Sequence, residues 1–432
     1  MTAYLAFITL FLGLVAGPQP LKLQVNDAVK SVKVVLDGET VATLRGAPWQ
    51  TVIDFGPELK PRRLTAIAYD AKGEELSRES QLVNVARPSA EVGIALARAD
   101  KGPGYVARLR WQHLTSERVT NMDAYLDGKP VTVDEPTRTI RLPKLNMKTI
   151  HILGARLSFA DGTIAGREIV FGGEVVDEAA TELTGIAVEQ RTASRSDGCL
   201  QLEGAPVHVA AVERTRGLVA FVRDSDPTQV SRRLITGKSG SLVTRLPHAF
   251  TIPDTALQLF WTVPEEVPTS ATTVSEVFGH SVAFDGGNTA LGTLSLLARA
   301  SGPDVRKAPR RADAVAAAAV HALRGGRRRA VVLVLGDDVS DASRHTPATV
   351  RRYLQSIGVP FFVWSVAGKT PELEATWGPI EDISSPPALQ YATERLRKAL
   401  ERQRIAWVSV DPIAALQVTA TADCAYVPIA RR

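Results

Sequence analysis

Two Asp-Gly turns constrain the first half of this chain more than any other feature. Asp37-Gly38 and Asp127-Gly128 lie about 90 residues apart, and the later turns at Asp70 and Asp161 keep that interval to about one residue. Asp-Gly between alternating apolar residues is a hairpin signal, because a two-residue turn that matches strand twist needs positive φ at both positions. The flanks alternate: Val32, Val34 and Leu36 share one face, with Lys33 and Val35 on the other. In the second copy, Tyr125-Leu126 precedes the turn and Val131-Thr132-Val133 follows it. Residues 64–69 run into Asp70-Ala71-Lys72-Gly73, as residues 151–159 run into Asp161-Gly162.

Short strands and tight turns, repeated in blocks of this size, predict two all-β sandwiches over residues 21–87 and 88–173. Each resembles bacterial Ig-like modules in architecture; neither carries the Cys…Trp…Cys signature of antibody domains.

From residue 174 the pattern changes. An acidic stretch, 174–185, reads as a linker, and helical periods then alternate with apolar runs. Residues 330–335 and 360–366 are apolar at nearly every position, as strands covered on both faces must be. Between them, Thr346 and Pro347 open a helix with Val350 and Leu354 on one face and Gly358 past its end. A second helix opens at Ser384 or Ser385, with Leu389, Ala392, Leu396 and Leu400 in register, and an upstream one spans residues 313–323. Residues 405–410 read as a further buried strand of the same sheet. Strand-helix-strand with short connections predicts an α/β doubly wound domain over 186–412, with residues 413–432 as a tail.

Charge excludes little: 51 basic against 46 acidic side chains leave +5, too thin over 432 residues to imply nucleic acid. Residues 3–17 carry no charge and are too few to cross a bilayer core of about 30 Å as a helix. They read as the apolar part of a cleaved signal peptide over residues 1–20, the mature chain starting between Ala16 and Leu21. That predicts an exported protein, periplasmic or extracellular, with no membrane span in the mature chain. An oxidising compartment favours Cys199 and Cys424 as one disulfide, the alternative being two unrelated buried thiols.

Ligands of doubly wound sheets bind at the carboxyl ends of strands. Three polar loops fall at such places: residues 224–228 (Asp-Ser-Asp-Pro-Thr), 286–289 (Gly-Gly-Asn-Thr) and 336–341 (Gly-Asp-Asp-Val-Ser-Asp). At these residues, and at Gly287-Asn288-Thr289-Ala290-Leu291, the chain resembles the von Willebrand factor type A family, in its divergent exported bacterial branch with Ig-like modules. The resemblance implies a metal-ion-dependent adhesion site, with Asp224, Asp226 and Thr228 in the Asp-x-Ser-x-Ser places, Thr289 in the threonine place and Asp337 in the last aspartate place. Mg²⁺, or Mn²⁺ or Ca²⁺, would be held weakly and would bind an acidic residue of a protein partner. Asp226 and Thr228 depart from the two serines, and an added carboxylate makes such a site less welcoming to an anionic partner group. The residues alone also allow Asp224 as a helix cap and Asp337-Asp338 as a solvated turn.

Other signals are weaker. Thr236-Gly237-Lys238-Ser239 has the end of a phosphate-binding loop, with Arg232 where its first glycine belongs. Arg306, Lys307, Arg310 and Arg311 before a helix, and Arg324 and Arg327–Arg329 after it, read as solvated helix ends. His345, close to Asp341, reads as a surface histidine, the alternatives being a metal ligand or a general base, and no nucleophile with an adjacent base can be assembled from local spacing. The functional expectation is an exported, non-enzymatic protein-binding or scaffold protein with a degenerate adhesion site. The alternative is a metal-dependent hydrolase using the acidic loops.

Overall fold

The computed structural model describes the chain apart from residues 1–4, 12, 86–89, 99–104, 114–116, 147–148, 172–182, 192–197, 224–249, 271–272, 282, 287–292, 294–295, 298–307, 325, 337–339 and 430–432. It is a multidomain, mostly β chain that divides into two units: residues 1–58, 62–180 and 267–274, and residues 59–61, 181–266 and 275–432. The linker expected at 174–185 lies mainly outside the described residues, Thr184 and Gly185 beginning a strand.

The first unit contains both sandwiches. In the first, strands Glu39–Leu44, Ser31–Leu36, Arg62–Tyr69 and Glu75–Val83 form one sheet in that order, and Leu5–Phe7, Pro18–Val25 and Gln50–Asp54 form the other. Val32, Val34, Leu36, Leu64 and Ala66 from one sheet share a buried cluster with Leu21, Leu23 and Ile53 from the other. The second sandwich repeats this order with Lys129–Val131, Val119–Leu126, His151–Phe159 and Ile164–Phe171. Its partner sheet adds Val133–Asp134, Thr139–Arg141, Tyr105–His113 and Ala90–Arg98.

The repeated turns are matched at atomic detail. Asp37 and Asp127 each have φ 50°, followed by Gly38 at 92° and Gly128 at 77°. Each aspartate also fastens its turn to the neighbouring strand. Asp37 Oδ1 accepts from Arg63 N at 2.8 Å, and Asp127 Oδ1 from Ile152 N at 2.9 Å. The aspartate is thus chosen twice over, for tolerance of positive φ and for a carboxylate that satisfies a backbone donor.

The second unit is built on strands β1 (Gly217–Arg223), β2 (Thr255–Ser270), β3 (Thr273–His280), β4 (Arg328–Leu335), β5 (Phe361–Ser365) and β6 (Ile380–Asp382). Their order across the sheet is β3-β2-β1-β4-β5-β6, and β2, β1, β4, β5 and β6 run parallel. The described helices of this unit include α1 (Arg311–Leu323), α2 (Pro347–Ser356), α3 (Pro371–Trp377) and α4 (Pro386–Arg402), with a single turn at Pro412–Ala415. β1 and β4 are buried at every residue because both faces are covered. Val219, Phe221, Val332 and Val334 pack with Leu389, Ala392, Leu396 and Leu400 of α4 on one face; Leu218 and Ala256 meet Ala322 of α1 on the other. Thr346 caps α2 and Ser385 caps α4, each followed by proline at the first helical position.

Two expectations need correcting. The apolar run at 405–410 does form a strand, Gln403–Val408, but it pairs antiparallel with Thr184–Gln190 and Val209–Glu213 in a separate sheet. An apolar run looks the same whichever sheet takes it. The segment read as a tail also belongs there: Tyr426–Pro428 pairs with Thr184–Gln190, and Cys424 is bonded to Cys199. The arginines are the second case. Arg311, Arg328 and Arg329 are only 1%, 1% and 3% exposed, so they are not solvated helix ends. Arg328 donates to the carbonyls of Thr215, Leu400 and Asp254 and to the Asp254 carboxylate, which is why burial is tolerated. Burial of Arg329 brings its guanidinium down to about 10.

Candidate functional site

The chain leaves β1 toward β2 on one side and β4 toward β5 on the other, so the strand order reverses between the carboxyl ends of β1 and β4, the position at which sheets of this kind form a ligand crevice. Arg223 ends β1 there, with 2% exposure, its guanidinium 5.9 Å from the Trp261 ring centre on β2. The chain returns to this edge at Arg310, whose backbone N–H donates to Thr262 O just past Trp261. The next residue, the buried Arg311, opens α1.

α1 has no cap of its own, since Arg310 offers none. The loop after β4 supplies it. Asp341 accepts from Arg311 N at 2.8 Å and from Ala312 N at 3.2 Å, and Ser343 Oγ accepts from Asp313 N at 3.1 Å. Three donors of the first turn are thereby satisfied by residues about 30 positions away in sequence. Asp313 reciprocates, accepting from Arg344 N and His345 N, from His345 Nδ1 at 2.8 Å and from Arg310 at 2.6 Å. Burial alone would raise the Asp313 carboxyl, but the bonds from His345, Arg344 and Arg310 outweigh it and hold it at about 2. The carboxylate is therefore a fixed charge that ties the crevice loop to α1. His345, expected at the surface and near Asp341, is instead half-buried and spends Nδ1 on Asp313.

Asp224, Asp226, Thr228, Thr289 and Asp337 all lie outside the described residues, as do residues 236–239. Their neighbours bear on the cation they would hold. Gly286, three residues before Thr289, donates to Thr255 O and accepts from Ile252 N, beside Gly217 at the start of β1 and hence at the opposite edge from Arg223. A Cβ on Gly286 would come within 2.9 Å of Leu257 Cγ, which explains the glycine but gives it no place beside the crevice. Among the described residues, no group of three or more His, Cys, Asp or Glu side chains is arranged to hold a metal. At this edge the described residues place the buried Arg223 at the end of β1, and the Asp341 and Asp313 carboxylates, which are engaged with backbone donors of α1 and of the loop after β4.

Sequence reading missed this cross-capping network. Asp341-x-Ser343 carries the signature of a local aspartate turn, seen here as Ser343 N donating to Asp341 Oδ1, but nothing local tells that the same carboxylate caps a distant helix.

No protein-family model matches the chain, and no curated protein does. Solved structures resemble parts of it. Fibronectin(III)-like modules of Clostridium thermocellum CbhA match 18% of this chain and 93% of their own length at 17% identity, with a TM-score of 0.17. Proximal thread matrix protein 1 from the mussel byssus matches 44% of this chain and 49% of its own at 10% identity, with a TM-score of 0.27. A β-glycosidase from Bacteroides vulgatus matches 40% of this chain at 10% identity and a TM-score of 0.21; the match spans only 25% of that enzyme.

Proposed function

We propose that this chain is an exported, non-enzymatic protein-binding protein, in which two Ig-like sandwiches carry a doubly wound α/β domain related to the von Willebrand factor type A family. The observation that carries the reading is the strand order β3-β2-β1-β4-β5-β6, which reverses between β1 and β4, the position at which doubly wound sheets take their ligands. His345 and Asp313 are bonded to each other and to backbone donors, and Ser343 Oγ donates to Asp341 at 2.6 Å, so these side chains serve to fasten the loop after β4 to α1. Export is supported by the Cys199–Cys424 disulfide. No described helix is long and apolar enough to cross a membrane.

The cation reading is kept in a weak form. Asp224, Asp226, Thr228, Thr289 and Asp337 would hold Mg²⁺ with low affinity, Arg223 standing at the end of β1 next to Asp224 in sequence.

The test sets binding against turnover. Protein immobilised from its native envelope fraction, with and without chelator, should retain a specific partner that an Asp341→Ala variant loses. Hydrolysis of ester, peptide or glycan substrates that depends on added divalent metal would overturn the reading.

A further inference from the structure

The apolar segment at the start of the chain makes contacts that a removable leader has no reason to make. Leu5–Phe7 pairs antiparallel with Pro18–Val25, Leu5 opposite Val25 and Phe7 opposite Leu23. Ile8 N and Thr9 N both donate to Lys22 O, and Lys22 N donates to Thr9 Oγ1. Leu5, Phe11 and Val15 are 3%, 8% and 6% exposed and belong to the first sandwich's core cluster, with the Phe11 ring edge-on to Phe55 at 5.1 Å.

Two side chains from the far end of the same sandwich clasp this segment by its backbone. Gln81 accepts from Phe11 N at 3.0 Å and donates to Thr9 O at 3.1 Å. Asn84 accepts from Val15 N at 2.7 Å and donates to Val15 O at 2.8 Å. Both residues are nearly buried, at 4% and 3% exposure, and Asn84 sits at φ 58°. Each amide thus presents one donor and one acceptor to backbone that lies beyond the strand Leu5–Phe7, and satisfies groups that no sheet partner among the described residues reaches through a ladder. Burying two amides in a β core costs several kcal/mol in general unless such partners are present.

We infer that the segment from Leu5 to Ala16, opened by the strand Leu5–Phe7, is a resident part of the first sandwich, retained in the folded protein and locked by the Gln81 and Asn84 amides. Its lack of charge, which reads as a signal peptide in sequence, is equally what a segment filling a sandwich core requires. Without it the edge of Pro18–Val25 and the apolar cluster around Phe55 would be uncovered, an edge prone to pairing with other chains. The inference does not depend on the partner-binding reading; it leaves the disulfide as the structural support for export.

Two measurements test it on the full chain. N-terminal sequencing and intact mass of the protein recovered from its native host should find residues 5–16 present; a folded native protein that starts between Ala16 and Leu21 would overturn the inference. Hydrogen exchange should find the amides of Phe11 and Val15 protected, and a Gln81→Ala, Asn84→Ala variant should lose that protection and melt lower by on the order of 10 °C. Unprotected Phe11 and Val15 amides in the unmodified protein would be equally fatal. Loss of the lock by substitution, with the rest of the sandwich still protected, separates this role from general unfolding.

Discussion

Cys199 and Cys424 are 225 residues apart in sequence and 5.3 Å apart at Cα, bonded to each other across the two flanks that bracket the parallel sheet. Both are fully buried, in a cluster with Leu200, Val207, Ala406 and Val408. In the chain-entropy picture a loop of that length is worth about 5 kcal/mol, native strain reducing it. The double Cys199→Ala, Cys424→Ala variant should therefore unfold at lower denaturant, with the loss confined to the second unit. Full alkylation of both thiols under denaturing, non-reducing conditions would show that no bridge forms.

Asp313 should govern the acid stability of the second unit. Its pKa in the fold, about 2, lies below the ordinary 3.8, so its contribution is complete above the ordinary value and disappears as pH falls from there through about 2. That shift corresponds to about 2 kcal/mol for a side chain only 4% exposed. Asp313→Asn keeps the shape and removes the charge; it should cost about 2 kcal/mol at neutral pH and flatten the acid limb of stability measured by urea midpoints. A variant with an unchanged acid limb would assign that limb to other groups.

His151 makes the second sandwich respond to pH in the opposite sense. Its Nδ1 lies 2.8 Å from Asp127 Oδ2, and this bond, with a further one to Asn146 O, raises the imidazole above its usual value. A raised histidine stabilises fully below its unfolded pKa, and the benefit is lost as pH rises through the folded one. Stability of this sandwich should thus fall as pH rises above the ordinary histidine value and through the raised one. Asp127→Asn should remove most of that slope, and an NMR titration of His151 would show its midpoint dropping.

Why some of this was legible in the sequence and some was not follows from distance along the chain. Asp37-Gly38 and Asp127-Gly128 could be read because a hairpin turn is decided by its own two residues. The starts of α2 and α4 were equally plain, since Thr346-Pro347 and Ser385-Pro386 place cap and proline side by side. The sheet that takes Gln403–Val408 was not legible, because its partners Thr184–Gln190 and Val209–Glu213 lie across the whole parallel sheet in sequence. Burial of Arg328 depends on carbonyls of Thr215, Asp254 and Leu400, and a backbone acceptor leaves no mark in side-chain identity. The site fared likewise: the crevice follows from strand order, whereas the capping of α1 by Asp341 is a contact between segments about 30 residues apart.

The last prediction concerns the cation. Asp224, Asp226 and Asp337 would bring three carboxylates to the crevice, and a divalent ion relieves their mutual repulsion. Arg223, buried at the end of β1 and next to Asp224 in sequence, already supplies positive charge at that edge, so less repulsion is left for an ion to relieve. An ion that binds only the native state stabilises by RT ln(1 + [L]/Kd), which is about 2.7 kcal/mol at 100 Kd but only about 0.4 kcal/mol when concentration equals Kd. With Kd near or above millimolar, magnesium or manganese at millimolar concentration should raise the second unit's melting temperature by about 1 °C, and Asp224→Ala should abolish even that. A rise of about 5 °C or more would mean a strong site and would restore metal-bridged adhesion as the working mechanism. No response to any divalent ion or chelator would remove the metal from the proposal altogether.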